Sequence, residues 1–357
     1  MASLVIQTSF LGDVILTTPL IAELARRGPV DVVTTAGSAG VLANHPSVRK
    51  IIVYDKHGAD SGVRGFARTA RRIRLAGISG TATTQLAGQR ESYDTAYMAQ
   101  GSVTSASLAL AAGVRKRIGF NTSAGRRLYT ARVEYRFDRH HAERLWWLSM
   151  TECADEPQPY QIAPSLYPGA ADVSSVDTLL ESFAGSPRSF VALAPGSAWG
   201  TKRWPFFPEL AVQVASRHNV VIVGGSNDVA LGEEILGRLP PRSGINGAGA
   251  LGILASAELL RRAAALVTND SAPQHLASAM ATPTIAVFGP TVPEFGFGPL
   301  APRSTIASHP SLACRPCDKH GPERCPLGHW RCMRELSAAT VFHLLEQTQN
   351  TLKRATR

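Results

Sequence analysis

Short runs rich in Val, Ile and Leu alternate along the chain with longer segments whose apolar residues recur at three- and four-residue spacing. This is the pattern of strands and helices in parallel βαβ layering. In the first part, residues 4–6, 30–33, 51–54 and 93–98 predict strands, and residues 13–26 predict a helix carrying Ile15, Leu16, Leu20, Ile21 and Leu24 on its inner side. Between the third and fourth strands, Arg64, Arg68, Arg71 and Arg72 fall at i, i+4, i+7 and i+8. That spacing places them on one helix face, with Val63, Ala67, Ala70 and Ile73 available for packing. The pattern restarts near residue 189. Residues 190–194, 220–223, 266–269 and 284–288 predict strands, separated by helices near 208–217, 229–239, 255–265 and 272–281.

Residues 154–188 hold Pro157, Pro159, Pro164, Pro168, Gly169, Gly185 and Pro187 around one short helical stretch, the composition of a connection. A chain of 357 residues exceeds what one core usually holds. The expected architecture is therefore α/β with two doubly wound, Rossmann-like domains. The first covers residues 1–160, a linker 161–188, the second domain 189–335, and a last helix 336–357 that could pack back on the first domain. Such sheets bind ligands at the carboxyl ends of their strands.

Charge adds a partner. The chain has 37 Lys and Arg against 27 Asp and Glu, and the whole excess lies early: 20 basic against 10 acidic residues through 149, 17 against 17 beyond. An anionic partner for the first domain follows, and nucleic acid, an acidic membrane surface and an acidic glycan all satisfy it. A plainly solvated, Arg-rich surface satisfies it too. No stretch approaches the roughly 20 consecutive apolar residues of a membrane-spanning helix. The opening residues lack the basic segment of a signal peptide, so a cytoplasmic protein is expected. Five cysteines, four of them between Cys314 and Cys332, do not form a secreted disulfide scaffold.

Three loops, each following a predicted strand and opening a helix, carry unusual polar residues. In Thr8-Ser9-Phe10-Leu11-Gly12-Asp13, Gly12 permits close backbone approach, and Asp13 suits either a helix N-cap or a general base. The second runs Ala194-Pro195-Gly196-Ser197-Ala198-Trp199-Gly200-Thr201-Lys202-Arg203-Trp204-Pro205. Backbone amides, hydroxyls and a Lys are the groups that hold a diphosphate. The alternative is a solvated loop, against which stand its two tryptophans. In Thr268-Asn269-Asp270-Ser271-Ala272-Pro273-Gln274-His275 the opening helix offers amides and a hydroxyl to an anion. Asp270 or Ser271 could equally cap that helix, and His275 could be an ordinary buried helix residue. No G-x-G-x-x-G, Walker A or G-x-S-x-G pattern is present, which removes the main support for hydride transfer, P-loop and nucleophile-elbow chemistry.

These three segments, in this order and spacing, resemble the lipopolysaccharide heptosyltransferases of glycosyltransferase family 9. The weaker Gly101-Ser102 and Arg117-Ile118-Gly119-Phe120 segments extend the likeness along nearly the whole chain. The resemblance implies a GT-B fold, its two domains facing a central cleft, with the acceptor on the N-terminal domain and ADP-L-glycero-D-manno-heptose on the C-terminal one. It implies an inverting transfer in which Asp13 takes the acceptor's proton and Lys202 neutralises the diphosphate, with no catalytic metal and no other cofactor. Ser197, Thr201, Asp270, Ser271, Ala272 and His275 would surround the donor, Ala272 standing where Gly is commoner. The anionic inner core of lipopolysaccharide, at the cytoplasmic face of the inner membrane, then supplies the partner for the basic domain. Ser9 is expected at the acceptor, and charge adds Arg64, Arg68 and Arg71, with Arg72, Arg115, Lys116 and Arg117 beside them. Nucleic acid is not expected as a partner.

Two alternatives stand beside this reading: a related transferase with another nucleotide-sugar donor or acceptor, and a non-catalytic nucleotide-sugar or nucleic-acid binder. Cys314, Cys317, Cys325 and Cys332, with His320 and His329 interleaved, fit structural zinc or plain thiols, since the seven-residue step from Cys325 to Cys332 is not a standard ribbon spacing.

Overall fold

The computed structural model describes residues 2–78, 93–150, 155–183 and 188–355. It divides into two compact units, Met1–Tyr167 and Pro168–Arg357. The boundary falls inside the expected linker 161–188. That linker is not merely a tether: its helix Ala170–Leu180 packs on the helix Ile253–Arg262 of the second unit. Glu258, 2% exposed, holds Arg262 at 2.7 Å, and Arg262 also reaches Asp177 at 2.5 Å. Residues 184–187 of the linker and 356–357 of the terminal helix lie outside the described residues.

The first unit is a six-stranded parallel sheet of β1 (Ser3–Ile6), β2 (Val30–Thr34), β3 (Lys50–Val53), β4 (Thr95–Met98), β5 (Lys116–Phe120) and β6 (Ala131–Val133), in the order β3-β2-β1-β4-β5-β6. Val5 lies opposite Val32 on one side and Tyr97 on the other. Buried on both faces, β1 and β2 can be continuous apolar runs, interrupted only where a polar group is matched. Asp31 on β2 is the interruption. Fully buried, it accepts two bonds of 2.8 Å from Arg49 and one from the Tyr93 hydroxyl. Burial first, and then this carboxylate, push the Tyr93 phenol well above its ordinary range.

The second unit repeats the plan with β7 (Phe190–Ala194), β8 (Asn219–Ile222), β9 (Gly244–Asn246), β10 (Ala265–Asn269), β11 (Thr284–Phe288) and β12 (Ser304–Ser308), in the order β12-β11-β10-β7-β8-β9. Its core takes in Trp204 and Phe207 as well as Val341 and Leu345 of the last helix, Ala338–Ala355. That helix is thus anchored on the second unit, by packing on the helix Phe207–Ala215 and on β12.

The basic helix, Gly62–Ile78, forms where expected but is rotated. Val63 (85% exposed) and Ala67 face solvent instead of packing, while Gly65, Thr69, Ala70, Ile73 and Ala76 face inward. Gly65 sets this phase, because a Cβ there would lie 2.2 Å from the Asp60 backbone.

His45 sits 4% exposed with its ring edge-on to Tyr167 at 5.0 Å, and burial lowers its pKa to about 4. The unfolded imidazole, near 6.5, therefore binds a proton that the folded one refuses. The penalty is absent above pH 6.5, grows as pH falls below it, and reaches at most about 3 kcal/mol near pH 4. His45→Gln should flatten the stability curve of the protein between pH 6.5 and 4 in denaturant titrations. An unchanged curve would locate the acid sensitivity elsewhere.

Candidate active site

Both sheets have a switch point where the strand order reverses, between β1 and β4 and between β7 and β10. Loops diverge there and leave a concavity at the strand ends. The three motif loops follow β1, β7 and β10, so each unit places its polar residues at its own switch point.

In the first unit Ile6 is followed by Gln7 and Thr8, both buried, and by Ser9, half-buried. The helix begins at Leu11 with Phe10 as its N-cap and no side-chain cap bond. Asp13 is thus the third helical residue and not the cap. Its side chain is 19% exposed, with Oδ1 3.7 Å from His141 Nε2. The Thr17 hydroxyl donates to the Asp13 carbonyl at 2.7 Å and itself receives the Gln7 amide at 3.1 Å. The Thr8 hydroxyl donates to Gln100, which follows β4, and Lys56 donates to the Thr8 carbonyl at 3.2 Å. Gln100 was signalled by its neighbour Gly101-Ser102. Lys56 and His141 carried no sequence signal, because only the crossing of β3 and of the helix His141–Trp147 brings them here.

The arginines separate into two groups. Arg64 and Arg71 are exposed. Arg68 and Arg72 are instead held by Asp60, at 3.0 and 2.5 Å, which bridges them to the preceding loop. Two guanidiniums and backbone bonds hold the Asp60 carboxyl below the usual range despite its burial. Arg117 is engaged with its own unit. Its guanidinium donates to the carbonyls of Leu128, Val114 and Arg115 at 2.8, 2.7 and 2.9 Å, fixing the turn between β5 and β6.

In the second unit Ala194 pairs with Thr268, so the loops after β7 and β10 emerge side by side. Asn269 ties them, accepting the Trp204 amide at 3.1 Å and donating to the Pro195 carbonyl at 2.8 Å. Lys202, 8% exposed, places Nζ 2.6 Å from Asp270 Oδ2. Asp270 also accepts from the Thr291 hydroxyl at 2.7 Å and from the Gln274 amide at 2.9 Å. With both oxygens so engaged, Asp270 supports the lysine, and the N-cap position falls to Ser271. An ammonium has three N–H donors, so the bond to Asp270 leaves two to serve an anion.

Gly196 carries the backbone against Asp228: a Cβ would lie 2.3 Å from that carboxylate. Ser197 is half-buried and Arg203 exposed, with the Arg203 Nε on the Ser197 carbonyl at 2.9 Å. Ser271 is the N-cap of the helix Ala272–Ala279 by position, yet its hydroxyl makes no cap bond. His275 is buried in that helix. Trp204 belongs to the core, its Nε1 donating to the Leu336 carbonyl at 2.9 Å, while Trp199 stacks on His320 at 6.1 Å.

Thr201 is tied to the segment that follows β12. It is buried, its hydroxyl donates to the Pro322 carbonyl, and its own carbonyl receives Trp330 Nε1 at 2.9 Å. Gly200 adds a bond to Glu323 at 3.3 Å. The cysteine-bearing segment therefore braces the second loop. Gly321, at φ +80, lets it turn close to Thr201 and Lys202, a conformation that disfavours other residues. The four thiols are free. Burial pushes Cys332 up to about 11; burial also opposes ionisation of Cys325, but backbone N–H groups of residues 327–330 hold that thiol below the usual range. Among the described residues no group of three His, Cys, Asp or Glu side chains is placed to hold a metal ion.

Residues 85–329 match the family model described as glycosyltransferase family 9 (heptosyltransferase). The chain belongs to glycosyltransferase family 9. It is 29% identical over 333 residues to lipopolysaccharide heptosyltransferase 1 of Pseudomonas aeruginosa, covering 89% of this chain and 86% of that protein. It is 29% identical over 317 residues to lipopolysaccharide heptosyltransferase 2 of Escherichia coli, covering 83% and 84%. The solved structure of the E. coli ADP-heptose lipopolysaccharide heptosyltransferase II aligns with a TM-score of 0.77 at 22% identity, over 99% of this chain and all of that one. The expected α/β architecture and the expected family thus both hold: this family 9 enzyme is a glycosyltransferase with two Rossmann-like sheets of GT-B type.

Proposed function

We propose that this family 9 enzyme moves heptose from ADP-L-glycero-D-manno-heptose to the inner core of lipopolysaccharide, with inversion at the anomeric carbon. The observation that carries the reading is the pairing of motif loops with switch points, a carboxylate in one unit and a supported, buried cation in the other. The acceptor hydroxyl oxygen forms a bond to the anomeric carbon, and its proton passes to Asp13. The bond from that carbon to the diphosphate breaks, and its electron pair leaves with ADP. Negative charge grows on the departing phosphate, where Lys202, the Ala272 amide at the start of the helix Ala272–Ala279 and the hydroxyls of Ser197 and Ser271 stabilise it. His275 is assigned to the donor side. Thr201 and Asp270 act by holding the loop and the lysine.

Ser9 with the exposed Arg64 and Arg71 is assigned to the anionic acceptor, Arg68 contributing the part of its charge that Asp60 leaves uncompensated. No helix among the described residues is long and apolar enough to cross a membrane. The lipid-borne acceptor would be met peripherally, at the cytoplasmic face of the inner membrane. Product analysis with ADP-heptose and truncated core acceptors tests the reading. Heptose transfer with inverted anomeric configuration is expected from ADP-heptose and not from UDP- or GDP-sugars. Transfer from one of those donors instead would reassign the substrate.

A further inference from the structure

Asp13 has a neighbour that its motif does not contain. The helix His141–Trp147 packs along the helix Leu11–Ala25, and its first residue brings Nε2 to 3.7 Å from Asp13 Oδ1. The His141 side chain is 12% exposed. At that separation the imidazole limits the rotation of the carboxylate, and a small shift of either side chain would close an N–H···O bond between them. It lies on the Oδ1 side of the carboxylate.

The first turn of that helix is held unusually firmly. The His140 ring accepts the Ala142 amide at 3.2 Å as N-cap. One turn on, Arg144 is 3% exposed and donates to the carbonyls of Arg136 and Phe137 and to the Tyr135 hydroxyl, at 2.7, 2.6 and 2.9 Å. The Arg136 guanidinium lies over Trp147, 4.0 Å from the ring centre. On the other side of the pair, Thr17 and Gln7 fix the backbone of Asp13. Two independently anchored helix starts therefore present the imidazole and the carboxylate to each other.

We infer that His141 is a positioning residue for Asp13, holding the carboxylate in the orientation from which its second oxygen receives the acceptor proton. This rests on Asp13 being the base. Misplacing a catalytic group by about 1 Å can cost about 100-fold in rate. His141→Phe, which keeps a ring but no N–H, should lower kcat about 10- to 100-fold with donor KM within about twofold of the parent. His141→Gln, which retains an N–H donor, should recover most of that loss.

The decisive comparison measures kcat, both KM values and thermal stability for these two variants beside Asp13→Asn. A parental kcat in His141→Phe with an inactive Asp13→Asn overturns the role of His141 and leaves the base assignment standing. Equal losses in Phe and Gln overturn it as well, since shape alone would then explain the effect. A parental rate in Asp13→Asn overturns the base assignment itself. Should His141→Phe fail to fold, His141→Asn takes its place, being too short to hold the same contact and expected to show the same loss.

Discussion

Asp13→Asn should slow transfer at least about 100-fold and up to about 10⁴-fold, the range over which a general base contributes. Donor affinity and folding should stay close to the parent. The two readings of this carboxylate, helix cap and base, differ in what the substitution does to stability. Phe10 is the N-cap, and no side-chain bond caps the helix. What a carboxylate in the first turn offers the helix is its interaction with the dipole, about 0.3–1 kcal/mol when exposed. A rate loss of 100- to 10⁴-fold corresponds to about 2.7–5.4 kcal/mol in the barrier. The effects are thus separable: a large loss of kcat with a thermal midpoint within a few degrees of the parent supports the base. Donor binding, followed by calorimetry with ADP, should be unaffected, because the loops assigned to the donor belong to the second unit. A drop in stability with the rate preserved would return Asp13 to a purely structural role.

The parts of the fold legible in the sequence were those that burial writes as continuous apolar runs. β1, β7 and β10 are covered on both faces and were found within a residue or so of their observed limits. Residues 116–120, 131–133, 244–246 and 304–308 were not recognised as strands. They are short or partly exposed, so no run of apolar residues marks them. Periodicity also identified the basic helix but misjudged its phase, because a glycine packed on the Asp60 backbone, and not the Val and Ala residues, defines its inner face.

For the candidate site, unusual polar residues at strand ends single out three loops that the fold sets at the switch points, but they do not show which side chains these loops bring together. Lys202 and Asp270 are 68 positions apart, and only the pairing of β7 with β10 makes them partners. Asp13 meets His141 through helix packing, which no local pattern encodes. Thr201 is expected at the donor because it stands beside a lysine in a Gly-containing loop, and that spacing says nothing of the residues that hold it. The brace from residues 320–330 that engages it could be anticipated only from the turn glycine Gly321 and from Trp330, neither of which names its partner.

Asp270→Ala should be the costlier half of the buried pair. It leaves the Lys202 ammonium, with 10% of its side chain exposed, lacking its counter-charge, and it strips the acceptor from Thr291 and Gln274. Breaking such a pair from one side costs about 3–5 kcal/mol. Lys202→Met follows the path of the lysine stem and leaves the carboxylate with two hydrogen bonds, each worth about 1.5–3 kcal/mol to a charged group, so its loss should be smaller. Both variants should bind ADP-heptose poorly, which makes the single substitutions ambiguous between folding and function. The combination Lys202→Met with Asp270→Leu resolves this. Replacing a buried ion pair by apolar residues of similar size is often neutral or stabilising, so the denaturation midpoint should rise above that of Asp270→Ala, short of the parent by what the unpaired Thr291 and Gln274 donors cost. Donor affinity and turnover should not, because the diphosphate still lacks its cation. Recovery of binding together with stability would mean that the pair serves only the packing of the two loops, and that positive charge for the leaving group comes from another residue of the second unit.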